Sequence, residues 1–125
     1  MLGPLLKFVD RTYVLQSIPA QLEGGIWIFA ANDDKTNART DYLEFTVDRD
    51  VDVYVAFTPS ATSRPNWMES FNNIGLTLSV SAVPSTLDLY SKFYAAGSLV
   101  TLGGNVAPGS VGGGDNNYVV IVVPR

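Results

Sequence analysis

Val51, Val53, Val55 and Phe57 are apolar, and Asp52, Tyr54 and Ala56 fall between them, with Thr58 next. A period of two sends one set to a buried face and the other to a wetter one, so residues 51–57 predict a β-strand. Pro59 stops it, because proline has no N–H to give to a ladder. The pattern recurs along the chain. Residues 42–47 point Leu43, Phe45 and Val47 inward, and Asp48, Arg49 and Asp50 form a tight turn, so this strand and the next are expected to pair as an antiparallel hairpin. Residues 76–81 alternate cleanly. Residues 87–94 set Tyr90, Lys92 and Tyr94 on one face against Leu89 and Phe93 on the other, and their aromatic content favours a strand over a helix. Residues 98–102 and 11–16 predict shorter strands.

Two segments are apolar on both sides. In residues 25–31, Ile26, Ile28 and Ala30 oppose Trp27 and Phe29, which predicts a central strand or one carrying an exposed aromatic pair. Residues 118–123 are a continuous apolar run, the mark of a strand buried on both faces in mid-sheet. Turn residues punctuate the remainder: Ile18 and Pro19, residues 21–25, Asn72 to Gly75, Pro84 and Ser85, Ala95 to Gly97, and Gly103 to Asn105. The glycine-rich stretch 106–117 has no Walker lysine, no GxGxxG and no following helix, so it reads as a flexible hairpin connection rather than a phosphate cradle. Roughly eight strands without a long helix predict an all-β chain, an antiparallel two-sheet β-sandwich of jelly-roll or Ig-like type. Residues 1–12 form an N-terminal arm and 13–125 a single domain.

Composition narrows the chemistry. The chain has 125 residues, 46% apolar and 16% charged, enough for one domain with a sizeable core. Its net charge is −4 and its lysines and arginines are scattered, which argues against nucleic acid and against a basic membrane-binding segment. No apolar run approaches the roughly 20 residues a membrane-inserted helix needs. Residues 1–9 lack the basic start and long apolar run of a signal peptide, so a secreted form would have lost its leader or carry it in a larger parent chain. With no histidine and no cysteine, the commonest general base, thiol nucleophiles and thiolate metal sites are absent. Catalysis would rest on carboxylates such as Asp33, Asp34, Glu44, Asp52 and Glu69, which no spacing pairs, so the chain is expected not to be an enzyme.

Two stretches carry candidate binding chemistry. Pro65 to Phe71 fits a single helical turn with Trp67 and Phe71 on one side. Arg64 and Trp67 then form a ligand platform at a sheet edge, or Trp67 and Phe71 plug one end of the core. Asn32, Asp33, Asp34, Lys35, Thr36 and Asn37 are the densest polar cluster. They suit a sugar-binding loop, an oxygen-rich calcium site with Asp33 and Asp34 as metal ligands, or a solvated loop capping its own backbone; the spacing is not that of an EF-hand. Asp48, Asp50 and Asp52 alternate as well, but Arg49 among them favours solvated turn charge over a cation site.

Residues 26–35 after Ile18 and Pro19, residues 53–67, and residues 94–105 followed by Tyr118, Val119 and Val120 together resemble the ancillary, carbohydrate-binding-module-like β-sandwich domains of secreted bacterial polysaccharide-degrading enzymes and cell-surface proteins. The resemblance covers most of the chain from Tyr13 onward and implies a non-catalytic appendage that binds a polysaccharide or other glycan outside the cell or at its surface. Sugar sites pair aromatic faces with planar polar groups, which makes Trp67, Arg64, Trp27, Tyr54, Asn32, Asp33, Lys35 and Asn105 the candidate ligand-binding residues. No row of exposed tryptophans suits a flat crystalline surface, and such domains normally sit in long multidomain chains. The alternative is a structural or assembly domain of a surface, adhesin or phage-particle protein, forming a homo-oligomer through the apolar N-terminal arm.

Overall fold

The computed structural model describes residues 15–17, 25–29, 40–59, 62–80, 86–104, 107–111 and 118–125. Among them are eight strands: β1 (Leu15–Ser17), β2 (Ile26–Phe29), β3 (Leu43–Thr46), β4 (Val51–Phe57), β5 (Asn72–Val80), β6 (Thr86–Tyr94), β7 (Leu99–Leu102) and β8 (Val119–Pro124). A 3-10 turn, Asn66–Met68, lies between β4 and β5. The strands form a six-stranded sheet in the order β1-β5-β6-β4-β8-β2 and a two-stranded sheet of β3 and β7, antiparallel throughout. The chain is therefore the all-β, two-sheet antiparallel sandwich that the alternation predicted. Among the described residues no helix is long and apolar enough to cross a membrane.

The period of two sorts the large sheet into two cores. Val51, Val53, Val55 and Phe57 of β4 join Val120 and Val122 of β8 and Tyr90 of β6 on the face toward the small sheet, where Val100 and Leu102 of β7 meet them. Ala56, Leu87, Leu89, Val119 and Ile121 occupy the opposite face with Leu78. Strand β8 feeds both clusters, which is why its sequence is apolar without alternation, and it lies mid-sheet between β4 and β2 as expected. Each such valine, leucine or isoleucine contributes about 1.5–3 kcal/mol on full burial.

Several expectations are corrected. Strands β3 and β4 do not form a hairpin: β3 pairs with β7 and β4 with β6 and β8. Both carry inward apolar residues at every second position, and lining the same core from opposite sides buries both sets. Strand β2 pairs only with β8 among the described residues and lies at the end of the sheet order rather than within it, with Ile26 63% exposed. Asn72 to Gly75 is the start of β5, not a turn. The pairing of β5 with β6 slips between Asn73 and Thr77, and Gly75 takes φ +76° there while its N–H donates to Asn73 Oδ1 at 2.8 Å. Turn-type residues thus serve an irregularity inside a strand. The stretch 106–117 is not a hairpin connection, because it leads from β7 in the small sheet to β8 in the large one.

Candidate functional site

The segment between β4 and β5 builds one end of the sandwich. Pro65 is fixed near φ −57° and ψ 150°, and Met68 N–H donates to its carbonyl at 2.9 Å, closing the 3-10 turn. Met68 is fully buried, which draws the turn onto the core. Trp67 comes down beside it and is half-buried. Its ring meets Tyr118 at 5.3 Å and Phe71 edge-on at 6.1 Å. Its indole N–H donates to Gly104 O at 3.0 Å. These are the contacts of an end plug, one of the two roles its sequence position allowed. Residues 107–111 are strapped across the same end. Asn66 N–H donates to Pro108 O at 2.8 Å, Val111 N–H donates to Ser63 O at 2.8 Å, and Ser63 Oγ donates to Gly109 O at 2.6 Å.

On the outside of this plug lie two cations seated on aromatic rings. The Arg64 guanidinium carbon is 4.7 Å from the Tyr90 ring centroid, and its Nη1 donates to the Tyr90 hydroxyl at 3.3 Å. Lys92 Nζ sits 4.9 Å from the Tyr94 centroid and 6.0 Å from that of Phe71, and donates to Ser70 Oγ at 3.0 Å. Tyr90, Lys92 and Tyr94 share a face because they are alternate residues of β6, opposite Val55, Val53 and Val51 of β4. Arg64 also lines a shallow cleft of about 320 Å³ with Thr62, Ser63, Pro65, Asn66 and Glu69. This cleft brings together a guanidinium, a carboxylate, an amide and hydroxyls, the mixture that hydrogen-bonds a polyol. A larger hollow of about 740 Å³, between β2 and β3, is lined mainly by apolar residues such as Ile26, Ile28, Phe45 and Val51, with Asp48 and Arg49 at its rim.

The described candidates divide between the faces of the large sheet. Trp67 belongs to the end plug and the exposed Arg64 lies outside it on Tyr90, whereas Trp27 and Tyr54 pack against the second core. Trp27 and Tyr54 lie in one row, each opposite Ile121 of β8, with Ser91 of β6 beyond Tyr54. Burial raises the Tyr54 hydroxyl pKa, and the Asp52 carboxylate adds to the rise. Asn32, Asp33, Asp34, Lys35 and Asn105 lie outside the described residues. The alternating aspartates are engaged separately: Asp48 with Arg49 at 3.5 Å, Asp52 with Arg125 at 3.0 Å, and Asp50 Oδ1 accepting from Ala96 N–H at 2.9 Å. Among the described residues no group of three or more acidic side chains is placed to hold a metal. Tyr90, Lys92, Tyr94 and Ser70 were missed as site residues. Their signal was the aromatic–cation–aromatic alternation on one strand face, but Arg64, their partner, is 26 residues from Tyr90.

No protein-family model matches the chain, and no curated protein matches it in sequence. Its fold is similar to part of a solved β-glucuronidase from glycoside hydrolase family 2, with a TM-score of 0.85 and 18% identity. That similarity covers 99% of this chain and 13% of the β-glucuronidase, so the chain spans a small fraction of the protein it matches. At that identity the likeness establishes the β-sandwich fold.

Proposed function

We propose that the chain is a non-catalytic glycan-binding module, a β-sandwich appendage of a larger secreted or cell-surface protein, with a polysaccharide as its partner. The observation that carries this reading is the surface where Arg64 and Lys92 lie on Tyr90 and Tyr94 beside the polar cleft of Ser63, Asn66 and Glu69. The exposed Arg64 guanidinium, held on the buried Tyr90 ring, offers a planar group to a sugar, and the amide, hydroxyl and carboxylate groups pair with sugar hydroxyls. The larger hollow is lined mainly by apolar residues, and its Asp48 and Arg49 are paired with each other. The fold likeness to a part of a glycoside hydrolase agrees with an accessory role beside a catalytic domain. Residues 32–37 keep their proposed place as a sugar or calcium loop.

The test is a polysaccharide array probed with the purified chain, with calcium and then with chelator. Saturable binding to one polysaccharide class supports the module. Loss of that binding in chelator assigns an ion to the loop holding Asp33 and Asp34. A blank array with folded protein overturns the reading. A second reading, a structural or assembly domain, is favoured by the apolar hollow beside the exposed Ile26. It requires a stable oligomer by light scattering that Ile26→Glu disperses.

A further inference from the structure

Four cations are described, Arg49, Arg64, Lys92 and Arg125. Two of them hold carboxylates: Arg49 pairs with Asp48 and Arg125 with Asp52. The chain has 12 acidic residues against 8 basic ones, so a cation has carboxylates to choose from. Arg64 and Lys92 nevertheless have no ion-pair partner among the described residues, and these two occupy one surface. Each is held by a ring and a hydroxyl instead, Arg64 by Tyr90 and Lys92 by Tyr94 and Ser70.

Such seating prepares both groups for an anion. A cation over a ring gains about 0.5–1 kcal/mol at an exposed site and keeps its full charge. The Arg64 guanidinium gives one N–H to the Tyr90 hydroxyl, and of its five N–H donors the others are left to hold a carboxylate with charge-assisted, paired bonds. Rotamer freedom lost before the ligand arrives is not lost again on binding. The surroundings limit the charge density of the ligand. Glu69 lines the Arg64 cleft, and Asp88 precedes Tyr90 by two residues on the same face of β6. These carboxylates repel a densely charged polyanion, while they accept bonds from sugar hydroxyls.

We propose that the ligand of this surface is a uronate-bearing polysaccharide whose carboxylates are held by Arg64 and Lys92; the inference rests on the glycan-binding reading above. The strand register also sets the ligand's size. Tyr90 and Tyr94 are four residues apart on β6, about 13 Å along a strand. A single monosaccharide does not span both rings, so the ligand that covers the whole surface is a polymer or a long oligomer that presents carboxylates along it.

The experiment is affinity gel electrophoresis and calorimetry of the purified chain with polygalacturonate, alginate and glucuronoxylan, each beside its carboxyl-reduced form, at low and high salt. At least one uronate polymer binds, its carboxyl-reduced form binds at least about tenfold more weakly, and salt weakens the complex. Arg64→Gln and Lys92→Gln each lower affinity by about tenfold or more while melting stays close to wild type, and Arg64→Lys does not restore the loss because it removes the two-bond grip. Free galacturonate binds far more weakly than its polymer. Equal binding to acidic and carboxyl-reduced forms overturns the uronate assignment and leaves the glycan module standing. Binding to acidic polymers that both glutamine variants retain overturns it as well. No binding to any polysaccharide in either form, by folded protein, overturns both readings.

Discussion

The indole N–H of Trp67 donates to the carbonyl oxygen of Gly104 across 3.0 Å, and this bond joins the segment following β4 of the large sheet to the segment following β7 of the small one. The Trp67 ring meanwhile packs on Tyr118 and Phe71. Trp67 therefore clamps two sheets that share no strand pairing among the described residues. Trp67→Ala is expected to cost about 3 kcal/mol, and Trp67→Phe, which keeps a ring but not the N–H, about 1 kcal/mol. In a chain of this size each kcal/mol lowers Tm by about 3–6 °C. A Trp67→Ala protein that melted with the wild type but bound no glycan would return Trp67 to the ligand surface.

The strap across that end depends on Gly109. Its φ is +97°, a conformation that L side chains rarely adopt, and a Cβ there would collide with the Asn66 side chain. Gly97 has φ +86° but open space around it. Gly97→Ala should cost about 1 kcal/mol for backbone strain alone, and Gly109→Ala more, about 2–3 kcal/mol, because the Asn66 contact adds to the strain. Paired denaturant titrations check the order. Equal losses at the two sites would mean that the strap yields freely.

The sequence made strands legible where burial is simple. The alternation in β4 and the two-sided apolar run of β8 each reflect one physical rule, and both strands lie where that rule sends them. Pairing was less legible. Asp48, Arg49 and Asp50 signal a reversal, but a reversal is equally compatible with crossing to the opposite sheet, as happens between β3 and β4. Asn72, Asn73 and Gly75 carry turn chemistry that the fold uses inside β5, where long-range pairing with β6 outweighs local preference. The candidate surface was half visible. Arg64 and the Tyr90, Lys92, Tyr94 alternation could each be read locally, whereas their meeting depends on a contact spanning 26 residues.

Alkaline pH tests the burial of Tyr118. Burial, with Tyr42 as a smaller contributor, pushes its hydroxyl pKa well above the ordinary value near 10. The native state keeps this proton where the unfolded chain releases it, so its contribution to stability is complete below about pH 10 and declines above it. The decline is about 1.4 kcal/mol per pH unit until the native pKa is reached. Tyr54 and Tyr94, also raised by burial, act in the same direction. Urea midpoints followed from neutral to strongly alkaline pH should fall steeply for wild type and less steeply for Tyr118→Phe. Parallel curves for the two proteins would show that Tyr118 ionises freely in the fold.

The register of the small sheet has its own internal control in β7. Leu99 and Leu102 lie on one four-residue strand, yet Leu99 is 57% exposed and Leu102 is fully buried. Leu102 stands opposite Leu43, and Leu99 opposite Thr46. Removing the Leu102 side chain leaves a hole between the sheets, so Leu102→Ala should cost about 2–4 kcal/mol. Leu99→Ala removes atoms already in contact with water and should change stability by no more than about 0.5 kcal/mol. Because a slip of one residue sends every side chain of a strand to the other face, the comparison reads the register directly. A larger loss from Leu99→Ala than from Leu102→Ala would mean that β7 pairs with β3 one residue out of the register described.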